Sequence, residues 1–490
     1  MLTESSGSTG EGSSSTHEAT TDETSDVTTT GGGTELVEVS HARELRGAWV
    51  ASAWNINFPT QAGLSVAAQQ AQMVAILDVL AASNMNTVLL QVRPESDALY
   101  DSMLEPFSRF LTGTQGVDPG YDPLEFAIEQ AHARGIEVHA WLNPYRAKVS
   151  VNSTAAATHV SETLSEFAHV YGTLLWMDPG ADAVRNHVVD VAVDVATRYA
   201  IDGLQFDDYY YPYPSGTPFP DDATWQAYLD GGGTLALADW RRENVNLLIE
   251  QVHLALLETA PDVRFGVSPF GIYRPGIPPG ITGFDAYEGL YADPLVWIEE
   301  EWVDYVAPQL YWATTQPQQA YDVLLEWWSA LPSEGRHVFA GNAAYKLGTD
   351  PHYDVDELLL QVQLVRELPN PSGNIFYNVA TLLQNTDGLA TALADEYYTR
   401  PALTPELPRE DRPIVEPPSV VVTDGAIAID HPDSATLRAY VLYEAEGGEF
   451  LIQSVLAPGT VDLPLSSGHW ALSAADRMGT ESLGVAFEVP

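Results

Sequence analysis

Two consecutive carboxylates, Asp207 and Asp208, close the apolar run Gly203–Tyr209. Successive side chains of a strand point to opposite faces. If Leu204 and Phe206 face packed helices, Gln205 and Asp207 point the other way. A carboxylate at such a strand end, with Arg93 and Asn143 brought near by the same rule, suits nucleophilic, general-acid or electrostatic work. Asp208 has the opposite parity, so support of the following loop and a direct role are equal readings of it.

The parity rule extends to other runs. Thr87–Pro94 sends Gln91 and Arg93 inward, and Glu137–Pro144 sends His139, Trp141 and Asn143. Arg264–Gly271 contributes Ser268, and Tyr305–Trp312 contributes Gln309 and Tyr311. Burying that many polar groups is costly unless they are paired or used. The plain alternative is a structural network. After Asp208 the loop Tyr209-Tyr210-Tyr211-Pro212-Tyr213-Pro214 offers flat rings with hydroxyl handles, suited to sugar faces. Trp54, Tyr273, Trp312 and Tyr345 fall at other run ends. Each alone is ordinary packing, but together they could line a groove for a polysaccharide.

These residues need a scaffold that brings strand ends together. The runs Glu44–Ala51, Thr87–Pro94, Glu137–Pro144, Gly203–Tyr209, Arg264–Gly271, Tyr305–Trp312, His337–Tyr345 and Gly373–Val379 have the length of buried strands. Helical patterns lie between them, such as Met73, Ile76, Leu77 and Leu80. Another is punctuated by Asp122 as N-cap, Pro123 at the first position, Glu125 closing a capping box and Gly135 as the stop. Eight strands alternating with helices predict an α/β fold, a (β/α)8 TIM barrel over residues 42–400, longer than the usual ~250 residues. The excess lies in segments leaving strands, 145–178, 209–238 and 272–293. Those segments build the C-terminal face, where barrel enzymes keep their sites.

The flanks differ in texture. Residues 1–41 are Ser, Thr, Gly and acidic, a composition that predicts a disordered linker, of the kind that follows an export or lipid signal. An acidic cytoplasmic tail is the alternative. Residues 401–418 hold six prolines and predict a semi-rigid linker. Residues 419–490 are rich in Val, Leu, Tyr and Trp between turns, which predicts a small β-sandwich of the fibronectin type III kind, a spacer or docking module.

Composition narrows the partners. The chain has 490 residues with 21 Lys+Arg against 68 Asp+Glu, a net charge of −47. Such a surface repels phosphate backbones, so nucleic acid and anionic lipid are excluded as partners. Zero cysteines exclude disulfides and thiolate chemistry. No run of about 18 apolar residues is present, so no membrane span is expected. Nothing matches a zinc or calcium motif, so neither cofactor nor obligatory metal is expected. The oligomeric state stays open. The only two lysines, Lys148 and Lys346, stand just past strand ends, which predicts contact with sugar hydroxyls or carboxylates on the cleft face.

The segments LRGAWVA, TVLLQVRP, SDALYDS, YDPLEFAIEQAHARGIEVHAWLNPYR, IDGLQFDDYYYPYP, FGVSPFGIYR, YADPLVWI, DYVAPQLYW and GNAAYK, in order across 43–400, resemble the glycosyl-hydrolase-10-like family of bacterial envelope proteins. The resemblance implies the barrel, export (commonly as a lipoprotein) and cleavage of glycosidic bonds. Members have been linked to peptidoglycan glycan strands stripped of stem peptides. The matched polar positions are Gln91, Arg93, Asp97, Asn143, Arg146, Asp207, Asp208, Ser268, Arg274, Asp293, Gln309 and Tyr311. Trp141, Tyr209, Tyr211, Trp312 and Lys346 complete the expected binding set. Ser96 departs from the family pattern, which favours Gly before Asp97.

Glycoside hydrolysis usually uses two carboxylates. Partners for Asp207 are Asp97, Asp208, Glu288 or Asp293, with Asp97 preferred and Asp293, ahead of Pro294, reading as a helix N-cap. The expected protein is a glycoside hydrolase of the cell envelope acting on a cell-wall or related polysaccharide. Its rivals are a non-catalytic glycan-binding protein on the same barrel and a structural envelope protein in which the β-domain is the working part.

Overall fold

The computed structural model describes residues 35–331, 335–368, 373–408 and 412–490. Each of the eight expected runs contains a parallel strand: Leu45–Val50, Thr87–Arg93, Glu137–Leu142, Gly203–Phe206, Arg264–Val267, Tyr305–Val306, a seventh split at Phe339 into His337–Val338 and Ala340–Asn342, and Gly373–Phe376. The first half of the seventh pairs with Tyr305–Val306 and the second half with Gly373–Phe376. That last strand pairs with Leu45–Val50, closing the ring.

Alternation decides what each strand faces. Val88, Leu90, Val138, Ala140, Leu204 and Phe206 are buried in one core with apolar residues of Val66–Ala82, Pro123–His132, Asp182–Arg198 and Leu237–Thr259. Each such side chain contributes about 1.5–3 kcal/mol when fully buried. The opposite faces fill the lumen with Leu45, Leu89, Tyr305, Phe339 and Ile375, so the barrel is packed and not a pore. Gly266 makes room for this filling, since a Cβ there would lie 2.1 Å from the Tyr305 ring. Helix Pro123–His132 starts as the sequence predicts, with the Asp122 side chain accepting from Leu124 N and Glu125 N.

The C-terminal region forms two antiparallel sheets. One has five strands, in the order Glu35–Val37, Gly484–Val489, Gly468–Asp476, Leu437–Glu446 and Glu449–Leu456. The other has three, Ser419–Thr423, Ala426–Asp430 and Asp462–Pro464. Their inner faces share a core including Ile427, Tyr440, Leu442, Trp470 and Phe487.

Three expectations about the flanks are corrected. The linker expected over 1–41 lies outside the described residues up to residue 34, but Glu35–Val37 is an edge strand paired with Gly484–Ala486. Its neighbours His41 and Arg43 both bind the Glu481 carboxylate. The first part of 401–418 is not a spacer. Leu403, Thr404 and Leu407 are buried, Leu407 N donates to Met478 O at 2.8 Å, and Thr404 Oγ1 donates to Glu137 Oε1 at 2.7 Å. Prolines there prevent helix without preventing packing.

The β-module is likewise docked under the barrel rather than appended to it. Arg438 Nη2 donates to Gly135 O at 3.0 Å and its Nε lies 3.3 Å from Asp202 Oδ1. Arg264, in the barrel floor, donates to Pro405 O at 2.8 Å and Met478 O at 3.0 Å. Gly135 sits at φ +74, and a Cβ there would meet Val455 O of the module at 2.9 Å. Among the described residues no helix is long and apolar enough to cross a membrane.

Candidate active site

The strand ends surround a cleft of about 150 Å³, with Asp207 at its base. Its walls include Trp49, Trp54, Gln91, Trp141, Arg146, Tyr209, Ser268, Gln309, Tyr311 and Tyr377. Three donors hold the Asp207 carboxylate. Oδ1 accepts from Asp208 N at 2.9 Å and Gln309 Nε2 at 3.3 Å, and Oδ2 accepts from Asn143 Nδ2 at 3.1 Å.

A second layer aims those donors. Asn143 Oδ1 accepts from Gln91 Nε2 at 2.6 Å and Arg146 Nη2 at 3.0 Å, which leaves its amide nitrogen for Asp207. Gln91 Oε1 in turn accepts from Ser52 N at 2.9 Å and Ala53 N at 2.8 Å. The Arg146 guanidinium lies over the Trp54 and Tyr209 rings at 5.5 and 5.3 Å. Polar groups and ring faces thus alternate around the carboxylate, the mixture that sugar rings require.

Asp208 is different. It is buried, its Oδ2 accepts from the Tyr213 hydroxyl, and its Oδ1 has no hydrogen-bond donor. Burial first, and then the adjacent Asp207 charge, push its carboxyl well above the ordinary carboxylate range. Asp207 is thus fixed by its donors, while the carboxyl of its neighbour is pushed toward the protonated form. Burial and neighbouring phenol and carboxylate groups also raise Tyr311, and burial with the Asp207 charge lifts Tyr377 to about 12, so both phenols are neutral donors at the wall.

The sequence profile of the family described as glycosyl hydrolase-like 10 matches residues 44–357. The chain belongs to the glycosyl hydrolase-like 10 family. Glycosyl hydrolase YngK of Bacillus subtilis (strain 168) is 38% identical over 474 residues, covering 90% of this chain and 92% of YngK. Glycosyl hydrolase DigH of Escherichia coli O6:H1 is 36% identical over 368 residues, covering 69% of this chain and 83% of DigH. Among solved structures, the PgaB (BpsB) glycoside hydrolase domain from Bordetella bronchiseptica aligns over 71% of this chain and 98% of that domain, at 14% identity and a TM-score of 0.48.

On this glycosyl hydrolase-like 10 barrel the expected residues separate into groups. Gln91, Trp141, Arg146, Asp207, Tyr209, Ser268, Gln309 and Tyr311 line the cleft. Asn143 and Asp208 lie directly behind Asp207. Arg93 does not reach it. A register shift after Gln91 re-aims Arg93, whose Nε donates to Glu105 Oε2 at 2.8 Å and whose Nη1 donates to Asn143 O at 2.7 Å. Asp97 is also outside the cleft lining, accepting from Glu95 N at 3.2 Å and Gln115 Nε2 at 2.9 Å. Burial, then the Glu95 charge, push it up to about 7. Ser96 beside it stands at φ +50, the left-handed region that favours glycine, and its Oγ donates to Arg146 O at 3.3 Å.

The remaining members lie elsewhere. Tyr211 is buried against Phe219 and Tyr291, and Trp312 packs on Phe270. Arg274 pairs with Glu288 at 3.2 Å, and Asp293 heads the helix Pro294–Glu299 while accepting from Tyr273 OH at 3.1 Å. Neither lysine lines the cleft. Lys346 Nζ donates to Tyr311 O at 2.7 Å, and Lys148, buried, donates to Ser153 O at 3.2 Å. Lys346 Nζ also lies 3.8 Å from Asp350 Oδ2, so strand-end position alone did not put either in the cleft. Trp49 and Tyr377 are the wall residues that sequence reasoning missed. Trp49 alternates with Ala48 and Val50, so the parity rule would have found it. The described residues contain no cluster of three or more His, Asp or Glu arranged to hold a metal ion.

Proposed function

We propose that this glycosyl hydrolase-like 10 protein hydrolyses glycosidic bonds of a bacterial cell-wall or related polysaccharide, with peptidoglycan glycan strands freed of stem peptides as the first substrate to test. One observation carries the reading: the Asp207 carboxylate, held by three donors beside a buried Asp208, at the base of a cleft walled by Trp49, Trp54, Tyr209, Tyr311 and Tyr377. Stacking alone needs no buried acid pair, so the pair favours an enzyme over a glycan-binding barrel. Export to the cell envelope, with a lipid anchor, is part of the proposal. It is supported by the family resemblance and by the Ser/Thr/Gly-rich composition of residues 1–34, suited to a tether. The shared core of the two C-terminal sheets supports a fibronectin-III-like sandwich serving as a docking element. The test is incubation with purified peptidoglycan, with and without prior amidase treatment. New reducing ends from the amidase-treated material are expected. Retention of glycan without new reducing ends would instead make the protein a binder.

A further inference from the structure

Arg146 is the one basic residue among those lining the cleft, in a chain whose net charge is −47. Arginines elsewhere sit on carboxylates: Arg93 on Glu105, Arg109 on Glu95, Arg241 on Asp221. Arg146 forms no ion pair with a described carboxylate. Its Nε donates to Pro94 O at 3.0 Å and its Nη2 to Asn143 Oδ1 at 3.0 Å. A guanidinium carries five N–H groups, so both hydrogens of Nη1 and one of Nη2 are left for a ligand. Together they form the fork that fits a carboxylate with two parallel hydrogen bonds. The Asn143 amide is bonded to both Arg146 and the Asp207 carboxyl group, and standing between them it keeps the two from pairing.

The wall beside this fork is built to be exposed. The Arg146 guanidinium lies 5.5 Å from the centroid of the Trp54 ring. Trp54 is 57% exposed, whereas the other rings of the wall are buried or half-buried. It stands at φ +54, in the left-handed region, where a non-glycine residue is strained and persists because its surroundings hold it. Here Asn55 Nδ2 donates to Pro59 O at 2.7 Å and Phe110 O at 2.9 Å, and Ser52 N and Ala53 N donate to Gln91 Oε1. A fixed, exposed indole next to an unpaired guanidinium presents a stacking face and an anion-binding fork side by side.

Resting on the glycosidase reading above, we propose that Arg146 is a specificity-determining residue that binds a carboxylate of the substrate, so that the sugar stacked on Trp54 is an acidic one. The carboxylate is that of a lactyl ether, as in N-acetylmuramic acid, or of a uronic acid. The rest of the molecule works against such a ligand, because its net charge of −47 repels anions. Asp207 is the one acidic residue of the cleft lining, so the preference is set locally by the guanidinium. The sign of the effect is therefore diagnostic: without Arg146, an acidic glycan should bind less well than its neutral ester.

The experiment measures binding by calorimetry to the full chain carrying Asp207→Asn, so that turnover does not consume the ligand. Two ligand pairs are compared, peptide-free strands of N-acetylglucosamine and N-acetylmuramic acid and oligoglucuronates, each as the free acid and as its methyl ester. In one pair the acid is expected to bind about 10- to 100-fold more tightly than the ester, the range of a hydrogen bond to a charged group. The pair that shows this identifies the source of the carboxylate. Adding Arg146→Met is expected to abolish or reverse the preference, and Arg146→Lys, a charge without the fork, to keep part of it. Arg146→Met also removes a donor to Asn143, and the acid-to-ester ratio separates recognition from that positioning role. No binding of either acid, esters that bind as tightly as the acids in both pairs, or a preference unchanged by Arg146→Met overturns the inference. Because the readout is binding, these outcomes are independent of whether any glycan is cleaved, and they leave the glycosidase reading to its own test.

Discussion

Asn143 Nδ2 donates to Asp207 Oδ2 across 3.1 Å, joining the ends of the third and fourth barrel strands at the base of the cleft. Because Gln91 and Arg146 occupy the other end of the amide, Asn143 can present only its donor to Asp207. Asn143→Asp replaces that donor with a like charge. The expected outcome is a fall of about 10²-fold in kcat. Steady-state rates on glycan strands check it, and an undiminished kcat would contradict the arrangement.

Tyr213 bears on Asp208. Its hydroxyl donates to Asp208 and so favours the ionised form, against burial and the Asp207 charge that disfavour it. Tyr213→Phe removes that donor, so Asp208 keeps its proton to higher pH. The alkaline limb of kcat should therefore move upward, with the acid limb unchanged.

Arg93 is expected to act on folding rather than on substrate. It and Glu105 are almost fully buried, and burial alone would raise Glu105, yet Arg93 and His187 hold it down at about 2. Arg93→Met leaves a buried carboxylate short of its main partner, at a cost of about 3–5 kcal/mol. The depressed Glu105 pKa contributes stability that is present above its unfolded value near 4.3 and is lost as pH falls toward 2. Urea unfolding at pH 7 and pH 3 should show that acid-side loss in the wild type and a smaller one in the variant.

The underside of the barrel should not tolerate removal of the β-module. Without residues 401–490, Arg264 loses its Pro405 and Met478 acceptors, and Asp202 loses Arg438. A barrel ending at residue 400 is expected to unfold at markedly lower temperature or to aggregate. Arg438→Met in the full chain should cost about 3 kcal/mol, measured by urea denaturation. Equal melting of the truncated and full chains would show the docking to be incidental.

The strands and the inward polar set were legible in the sequence because period-two alternation is local. Gln91, Asn143, Asp207, Gln309 and Tyr311 all follow it. Arg93 escaped the rule through a one-residue register shift, which no local pattern announces. Tyr211 lies in a loop and Lys346 in the 3-10 turn Ala344–Lys346, where strand parity has no authority. Lys346 finds Tyr311 O across 35 residues and Arg93 finds Glu105 across 12. The pairing of Glu35–Val37 with Gly484–Ala486 joins opposite ends of the chain. Such long-range partners are chosen by three-dimensional packing, so composition alone read both flanks as free linkers.

The central claim is that glycoside cleavage depends on the Asp207 carboxyl group. Release of reducing ends from amidase-treated peptidoglycan by Asp207→Asn, compared with the wild type at matched urea midpoints, tests it most directly. The account requires a loss of about 10²–10³-fold or more with folding unchanged. Comparable release by the variant would contradict it.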